Sequence, residues 1–349
     1  MKKKTVAVLF GGHSTEYEVS LQSACSVIEN LNPKKYHTVL LGITRQGKWL
    51  KYGGKTEQIR NDTWWKQDSC VPVVLSPGRD IHGILALEDG GVKRIPVDVA
   101  FPVLHGKNGE DGTVQGLLEL AGIPCVGCGM LSSALCMDKD VAHRLVHMAG
   151  IQTPESVVLH FAVPEAELLK RMAYLKYPLF VKPANAGSSF GITKVSGAGD
   201  LPGAVEAAFQ HDRKVIVEEA VAGFEVGCAV LGNETLTIGE VDEIELSQGF
   251  FDYTEKYTLK TSKIHMPARI DADTSNRIKQ TAAVIYRTLS CSGCARVDLF
   301  LTPEKEIVFN EVNTIPGFTS HSRYPNMLKG IGITFEQMVD KLIHLAVRP

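Results

Sequence analysis

"ARVDLFLTPEKEIVFNEVNTIPGFTSHSRYP", residues 295–325, is the stretch that decides how this chain is read. Two short apolar runs flank the turn "PEKE", a pattern that predicts a β-hairpin. Side chains alternate across a strand, so Arg296 and Asp298 share one face, with Val297 and Leu299 on the other. In the second run Glu311 and Asn313 share a face. A tight hairpin brings the two polar faces together and gathers three oxygen donors beside a guanidinium. Two carboxylates and an amide are hard donors that suit Mg²⁺ rather than zinc. A hairpin with one solvated face would alternate in the same way. The apolar residues flanking each polar one favour the metal. Beyond Asn313 come a Pro-Gly turn and then His321, Ser322 and Arg323.

Working outward, the 349 residues allow two or three domains, and the pattern of elements gives three. The apolar fraction is 44% and the charged fraction 22%, as in ordinary globular chains. A formal charge of -2 provides no basic excess to neutralise phosphates, which argues against a nucleic-acid partner. The run Val6–Phe10 is too short for a signal-peptide core and reads as a first strand. No window reaches the roughly 20 apolar residues of a membrane helix. The expectation is therefore a cytoplasmic protein with no membrane partner. Eight cysteines in a chain this long do not suggest a disulfide framework. Two CxxC pairs occur, Cys125/Cys128 and Cys291/Cys294, but a zinc site would need them to meet across more than 160 residues. Scattered thiols are expected instead, with Cys25 and Cys136 serving as small apolar residues in helices.

The first third alternates strand and helix: "TVAVLFGG", "EVSLQSACSVIENL", "HTVLLGI", "VDVAFPVL", "GTVQGLLELAG". This predicts an open parallel α/β sheet over 1–127, with "NDTWWKQDS" and "SPGRD" as surface connections. A smaller α+β lobe is expected over 128–221. It opens with the helical stretch "LSSALCMDKDVAHRLVHMAG", for which Asp138 is a candidate cap. Strands "YPLFVKP" and "GITKV", helix "GDLPGAVEAAFQ" and strand "KVIVEEAV" follow. From 222 to 349 the strands lengthen and read as antiparallel, with helices "SNRIKQTAAVIYRTLS" and "TFEQMVDKLIHLAV".

Four further stretches carry candidate chemistry. "VKPANAGSSFGITKV" places small residues between two strands with Lys182 just upstream, a loop able to bring N–H groups close to phosphates. An ordinary glycine-rich hairpin would look the same. In "VEEAVAGFEVG", Glu218 and Glu225 could receive ribose hydroxyls, or could be surface charges. "HGKNGEDG" sets His105 and Glu110 after a buried strand, where α/β sheets carry function, yet the composition is also that of a turn. "GGHSTEYEVSL" places Glu16 and Glu18 at a helix start, which the helix dipole alone would favour.

In order, "GGHSTEYEVSL", "HGKNGEDGTVQGLLEL", "SALCMDK", "VKPANAGSSFGITKV", "FFDYTEKY", "RVDLF" and "NEVNTIPGFTSHS" resemble the D-alanine:D-alanine ligase family of the ATP-grasp fold. The resemblance covers essentially the whole chain and keeps the family's spacing. It implies ATP-dependent phosphorylation of a D-alanine carboxylate, followed by attack of a second amine on the acyl phosphate. Catalysis would then be mainly positioning and charge stabilisation. It implies that Asp298, Glu311 and Asn313 hold two Mg²⁺, with Mn²⁺ as a substitute. Lys139 and Lys182 would meet phosphate oxygens, assisted by Ser189 in the loop 185–191 that covers them. Glu218, Val221 and Glu225 would hold adenine and ribose. Glu16 would bind the first substrate's ammonium with His105 nearby, and Ser188 and Tyr257 would join Glu16 to a mobile loop over 245–260. Arg296 and the Gly317 N–H would stabilise the oxyanion, while Lys256 and Ser322 would receive the second substrate. ATP, D-alanine and a second small substrate are the implied partners, in a homodimer.

For the second substrate, Tyr257 in "EKY" resembles ligases that use an amine nucleophile and argues against a depsipeptide product. Arg323 in "HSRYP" and Phe251 depart from the D-alanine-specific pattern. They resemble the D-alanine:D-serine ligases of the vancomycin-resistance group, VanG type. An apolar pocket rejects a hydroxyl only about 10²-fold, whereas a site built to hydrogen-bond it reaches about 10⁴. Arginine's fork of donors fits that task, although Arg323 could equally pair with a surface carboxylate. The competing readings are a housekeeping D-alanine:D-alanine ligase, a non-catalytic nucleotide-binding regulator and a dinucleotide-dependent dehydrogenase. The last lacks GxGxxG.

Overall fold

The computed structural model describes residues 3–187, 191–246 and 262–347, and three sheets organise them. The first contains β1 (Lys4–Gly11), β2 (Tyr36–Ile43), β3 (Trp49–Tyr52), β4 (Val71–Leu75), β5 (Gly83–Glu88), β6 (Gly91–Pro96) and β7 (Val99–Pro102), in the order β6-β5-β4-β3-β2-β1-β7. Only β2-β1-β7 pair in parallel; β2 through β6 form an antiparallel meander. The expectation of an open parallel sheet is corrected here. Five residues separate β2 from β3 and two, Asp89-Gly90, separate β5 from β6, so neither link can make the crossover a parallel pair needs. Helices α1 (Tyr17–Glu29), α2 (Thr56–Arg60) and α3 (Thr113–Leu120) accompany this sheet.

"NDTWWKQDS" is not simply a surface connection. Trp64 is fully buried, edge-on to Phe10 at 4.9 Å and to Tyr52 at 6.0 Å between ring centroids. Gly42 makes room for it, since a Cβ there would lie 2.2 Å from the indole. Trp65 faces outward, and nothing in the local composition separates the two.

The helical stretch after residue 130 forms two helices, α4 (Met130–Met137) and α5 (Lys139–Met148). Asp138 breaks them with an extended ψ of 97° and caps α5 by accepting from the Val141 N–H at 3.2 Å. Strands β8 (Ser156–Leu159), β9 (Leu179–Pro183), β10 (Thr193–Val195) and β11 (Val215–Glu219) form the second sheet, order β10-β9-β11-β8. Its core is shared with α6 (Glu165–Met172) and α7 (Leu201–Phe209).

The third sheet is antiparallel, order β14-β13-β12-β15-β16, from β12 (Phe224–Gly232), β13 (Leu236–Leu246), β14 (Ser262–His265), β15 (Cys294–Leu301) and β16 (Ile307–Asn313). Alternate β12 residues serve two cores, as strand periodicity requires. Val226, Cys228 and Val230 pack with α8 (Ala272–Thr288), while Ala229 and Leu231 share a core with Tyr324 and Met327 of α9 (Arg323–Gly330). The proline in "RYPNMLKG" does not prevent α9, because it sits in the first turn, where no intrahelical N–H is needed. The last helix is α10 (Phe335–Ala346).

All eight thiols are free, and four of them, Cys128, Cys136, Cys291 and Cys294, come together. The two CxxC segments cross, with a Cβ on Gly293 falling 2.8 Å from the Gly127 Cα. Cys128 Sγ lies 3.5 Å from the Cys294 carbonyl, and Cys136 Sγ lies 3.7 Å from Cys291 Sγ. Among the described residues, however, no three His, Cys, Asp or Glu side chains form a metal-holding group.

Candidate active site

The hairpin of β15 and β16 forms in the register that gathers its polar faces: Arg296 opposes Asn313, and Asp298 opposes Glu311. Directly after Asp298 the register shifts, leaving Asn310 unpaired. Arg296 donates from Nε to Asp298 Oδ1 at 2.8 Å and from Nη2 to Oδ2 at 2.6 Å. Asn313 Nδ2 donates to Asp298 Oδ2 at 2.9 Å. Glu311 lies 3.6 Å from the Lys139 ammonium, which also donates to the Ala186 carbonyl at 2.7 Å. The break at Asp138 thus starts α5 with a buried lysine joining the glycine-rich loop to the carboxylate strand. The hard-oxygen set suits a divalent cation, and nucleotide phosphates would complete its coordination. Asp298, the most buried donor, is held between protein cations, as a carboxylate in this position must be.

Arg323 is buried at the first position of α9, not paired at the surface. Nε and Nη2 clasp Asp242 in a bidentate pair at 2.7 Å each, Nη1 reaches Glu225 Oε1 at 2.9 Å, and Nη1 stands 3.3 Å from Asp298 Oδ1. Most of the fork is thus occupied by carboxylates. Asp242 was not singled out in the sequence. It is wholly buried on β13, and its signal was only an acidic residue within a strand, in "GEVDEIEL".

Lys182 on β9 and Glu218 on β11 form a buried ion pair across neighbouring strands. Glu218 Oε2 has no hydrogen-bond partner among the described residues, and neither has Nδ1 of buried His143. His143 Nε2 lies 2.8 Å from the Asn310 carbonyl, and its ring packs edge-on to Phe309. Val221 follows β11 and is half-buried.

At the other end, the loops after β1 and β7 meet the turn after β16. Glu16 is buried between two backbones: a Cβ on Gly106 would lie 2.3 Å from its Oε2, and one on Gly187 2.7 Å from it. Glu110 accepts from the Gly106 N–H at 2.7 Å and from the Ile315 N–H at 3.2 Å. Burial, aided by the charge of Glu16, raises its carboxyl to about 8. His105 bridges the Ile315 carbonyl at 3.0 Å and Ser23 Oγ at 3.1 Å, and burial lowers it to about 4, so it is neutral at pH 7. Ser322 Oγ accepts from the Thr319 N–H at 3.0 Å and would lie 2.7 Å from a Cβ on Gly317, so a larger residue there would push the Ser322 hydroxyl aside. One cavity lined by Glu110, Lys139, Gly187, Glu311 and Asn313 links the two ends. His321 is exposed and lines a separate cleft with Glu18, Glu29 and Arg60. Ser188, Ser189, Phe251, Lys256 and Tyr257 lie outside the described residues.

Two family models match, D-ala D-ala ligase N-terminus over residues 5–128 and D-ala D-ala ligase C-terminus over 145–344. The chain belongs to the D-Ala-D-Ala ligase family. Its ligase fold is the ATP-grasp fold, and the activity of the family is ATP-dependent ligation. Among similar proteins is the vancomycin B-type resistance protein VanB of Enterococcus faecalis, 48% identical, with 99% of each chain covered. Another is a D-alanine--D-alanine ligase of Caldicellulosiruptor bescii, 46% identical over 99% of this chain and 96% of that one. A solved structure, the VanG D-Ala:D-Ser ligase from Enterococcus faecalis, superposes with a TM-score of 0.92 at 61% identity, covering 99% of this ligase and 100% of VanG. No described helix of this ligase is long and apolar enough to cross a membrane.

Proposed function

We propose that this ligase joins D-alanine to D-serine through a D-alanyl phosphate, making a dipeptide for altered cell-wall precursors that confers vancomycin resistance. Three domains with boundaries at 127/128 and 221/222, a cytoplasmic location and a homodimer belong to the same proposal. The observation that carries the D-serine reading is Arg323, a guanidinium buried beside Asp298 and aimed by a bidentate clasp on Asp242. A donor so fixed can reward a substrate hydroxyl where an apolar side chain could not. The 61% identity to a protein described as a D-Ala:D-Ser ligase supports it.

In this reading Glu16, between Gly106 and Gly187, binds the ammonium of the first D-alanine. The buried bonds of Glu110 to the Ile315 N–H, and of His105 to the Ile315 carbonyl and Ser23, hold those loops against the turn carrying Gly317. Lys139 and Lys182 meet the phosphates, and Lys182 exchanges part of its pairing with Glu218 for them. The unpartnered Glu218 Oε2 supports a nucleotide amino group as its missing donor. Asp298, Glu311 and Asn313 would hold two Mg²⁺. When bound, the ions would neutralise phosphate charge as the γ-phosphoryl group moves to the D-alanine carboxylate. The second substrate's amine then attacks the acyl carbon. Arg296 and the Gly317 N–H stabilise the developing oxyanion, and phosphate departs. Ser188, Ser189, Phe251, Lys256, Tyr257 and Ser322 keep the roles the family resemblance implies.

Initial rates with D-serine and D-alanine as competing second substrates test the proposal. A kcat/KM for D-serine well above that for D-alanine at neutral pH is expected, and Arg323→Leu should shift preference toward D-alanine. An equal or higher kcat/KM for D-alanine would instead establish a D-alanine:D-alanine ligase.

A further inference from the structure

We propose that Cys136 and Cys291 form a reversible oxidation site whose closure to a disulfide disturbs the phosphate-binding lysine. The observation is a convergence that sequence separation hides: 155 residues apart, the two sulfurs stand 3.7 Å from each other. Cys291 lies in the link between α8 and β15 and is half-buried, open to a small oxidant, whereas Cys136 is buried in the last turn of α4. The Cys291 thiol also faces Cys128 across the crossing of the two CxxC segments. A metal is not the occupant these sulfurs suit, given that no described group of three ligands is arranged for one.

The site is wired to the chemistry by chain connectivity. Cys136 stands two residues before Asp138, which caps α5, and three before Lys139. It also lines the cavity that contains Lys139, Glu311 and Asn313. A disulfide needs the sulfurs about 2 Å apart, so the pair must close by roughly 1.7 Å. The α4 turn takes up part of that movement, and Lys139 is carried with it. Misplacement of a positioning group by about 1 Å can cost up to 10²-fold in rate.

The oxidant required is a hydroperoxide. The Cys291 sulfur attacks its terminal oxygen, an S–O bond forms and the O–O bond breaks, giving a sulfenic acid and an alcohol, or water from hydrogen peroxide. The Cys136 sulfur then attacks the Cys291 sulfur. The S–S bond forms, the S–O bond breaks, and the departing hydroxide leaves as water with the Cys136 proton. Two thiols and one hydroperoxide thus yield one disulfide, one alcohol and one water. Contact with Cys128 pulls the Cys291 thiol down, but contact with Cys136 and burial outweigh it and hold the thiol well above the usual range, so the reaction is slow and selects for strong oxidative exposure.

The test treats the whole protein with millimolar hydrogen peroxide, follows Cys136–Cys291 cross-linked peptide by mass spectrometry, and measures ligation across ATP concentrations. The expected result is a cross-link that accumulates in step with a rise in KM for ATP of about tenfold, reversed by dithiothreitol. Cys291→Ser should keep basal activity and resist peroxide, Cys136→Ser should give no Cys291 cross-link, and Cys128→Ser still cross-links. Inactivation of Cys291→Ser at the parent rate, absence of the Cys136–Cys291 peptide, or a cross-linked protein with unchanged KM for ATP would each overturn the proposal. The peptide is detected whichever second substrate is used, so failure here is separable from failure of the D-serine reading.

Discussion

Replacing Arg323 by leucine should destabilise the protein far more than a surface arginine would, because of what remains behind. Asp298 retains Arg296 and Asn313, but the wholly buried Asp242 draws its hydrogen bonds from Arg323 alone among those described. Breaking a buried pair from one side costs about 3–5 kcal/mol, since the orphaned carboxylate cannot return to water. Asp242→Asn removes the charge but keeps an acceptor, and Arg323 retains Glu225 and Asp298, so a loss of about 1–2 kcal/mol is expected. The double variant Arg323→Leu/Asp242→Leu removes both charges into an apolar cluster containing Met327, and should recover most of the single-variant loss. With Asp242→Leu as the matching single variant, costing at least as much as Asp242→Asn, the coupling should be about 3–5 kcal/mol, read from urea midpoints without nucleotide or metal. A loss below about 1 kcal/mol for Arg323→Leu, or additive single and double variants, would falsify the buried-clasp reasoning.

Gly106→Ala places a methyl 2.3 Å from Glu16 Oε2 at a φ of 72°, so KM for the first D-alanine should rise at least about tenfold, measured in initial rates with ATP saturating. His105 is lowered to about 4 from 6.5, so its contribution is complete above pH 6.5 and lost as pH falls toward 4. The full loss approaches about 3 kcal/mol, and His105→Gln should flatten that part of a stability–pH curve. Glu311→Gln removes one of the two carboxylates of the Asp298, Glu311 and Asn313 set and should weaken Mn²⁺ binding in the presence of ATP by at least about tenfold, followed by electron paramagnetic resonance titration.

Much of the site was legible because its residues lie close together along strands. Arg296 with Asp298, and Glu311 with Asn313, obey the two-residue period, and the turn "PEKE" fixed which faces could meet. Long-range pairings left no such trace. Asp242 finds Arg323 across 81 residues, and Glu110 finds Ile315 across 205. The parallel reading of the first sheet failed because apolar runs look alike in either direction, and β3 to β6 lie outside the runs that read as strands. Trp64 and Trp65 are neighbours of one type, yet the gap at Gly42 admits only one of them.

By itself the sequence determined the hairpin of oxygen donors, the small-residue loop downstream of Lys182, and the family to which the order of the motifs belongs. These depend on local geometry, on strand period and on the absence of a Cβ, which are written residue by residue. Only the tertiary structure decided that Arg323 is clasped rather than exposed and that two distant CxxC segments bring Cys291 within reach of Cys136. A buried charge or thiol is defined by what surrounds it, and those surroundings come from chain segments 81 and 155 residues away.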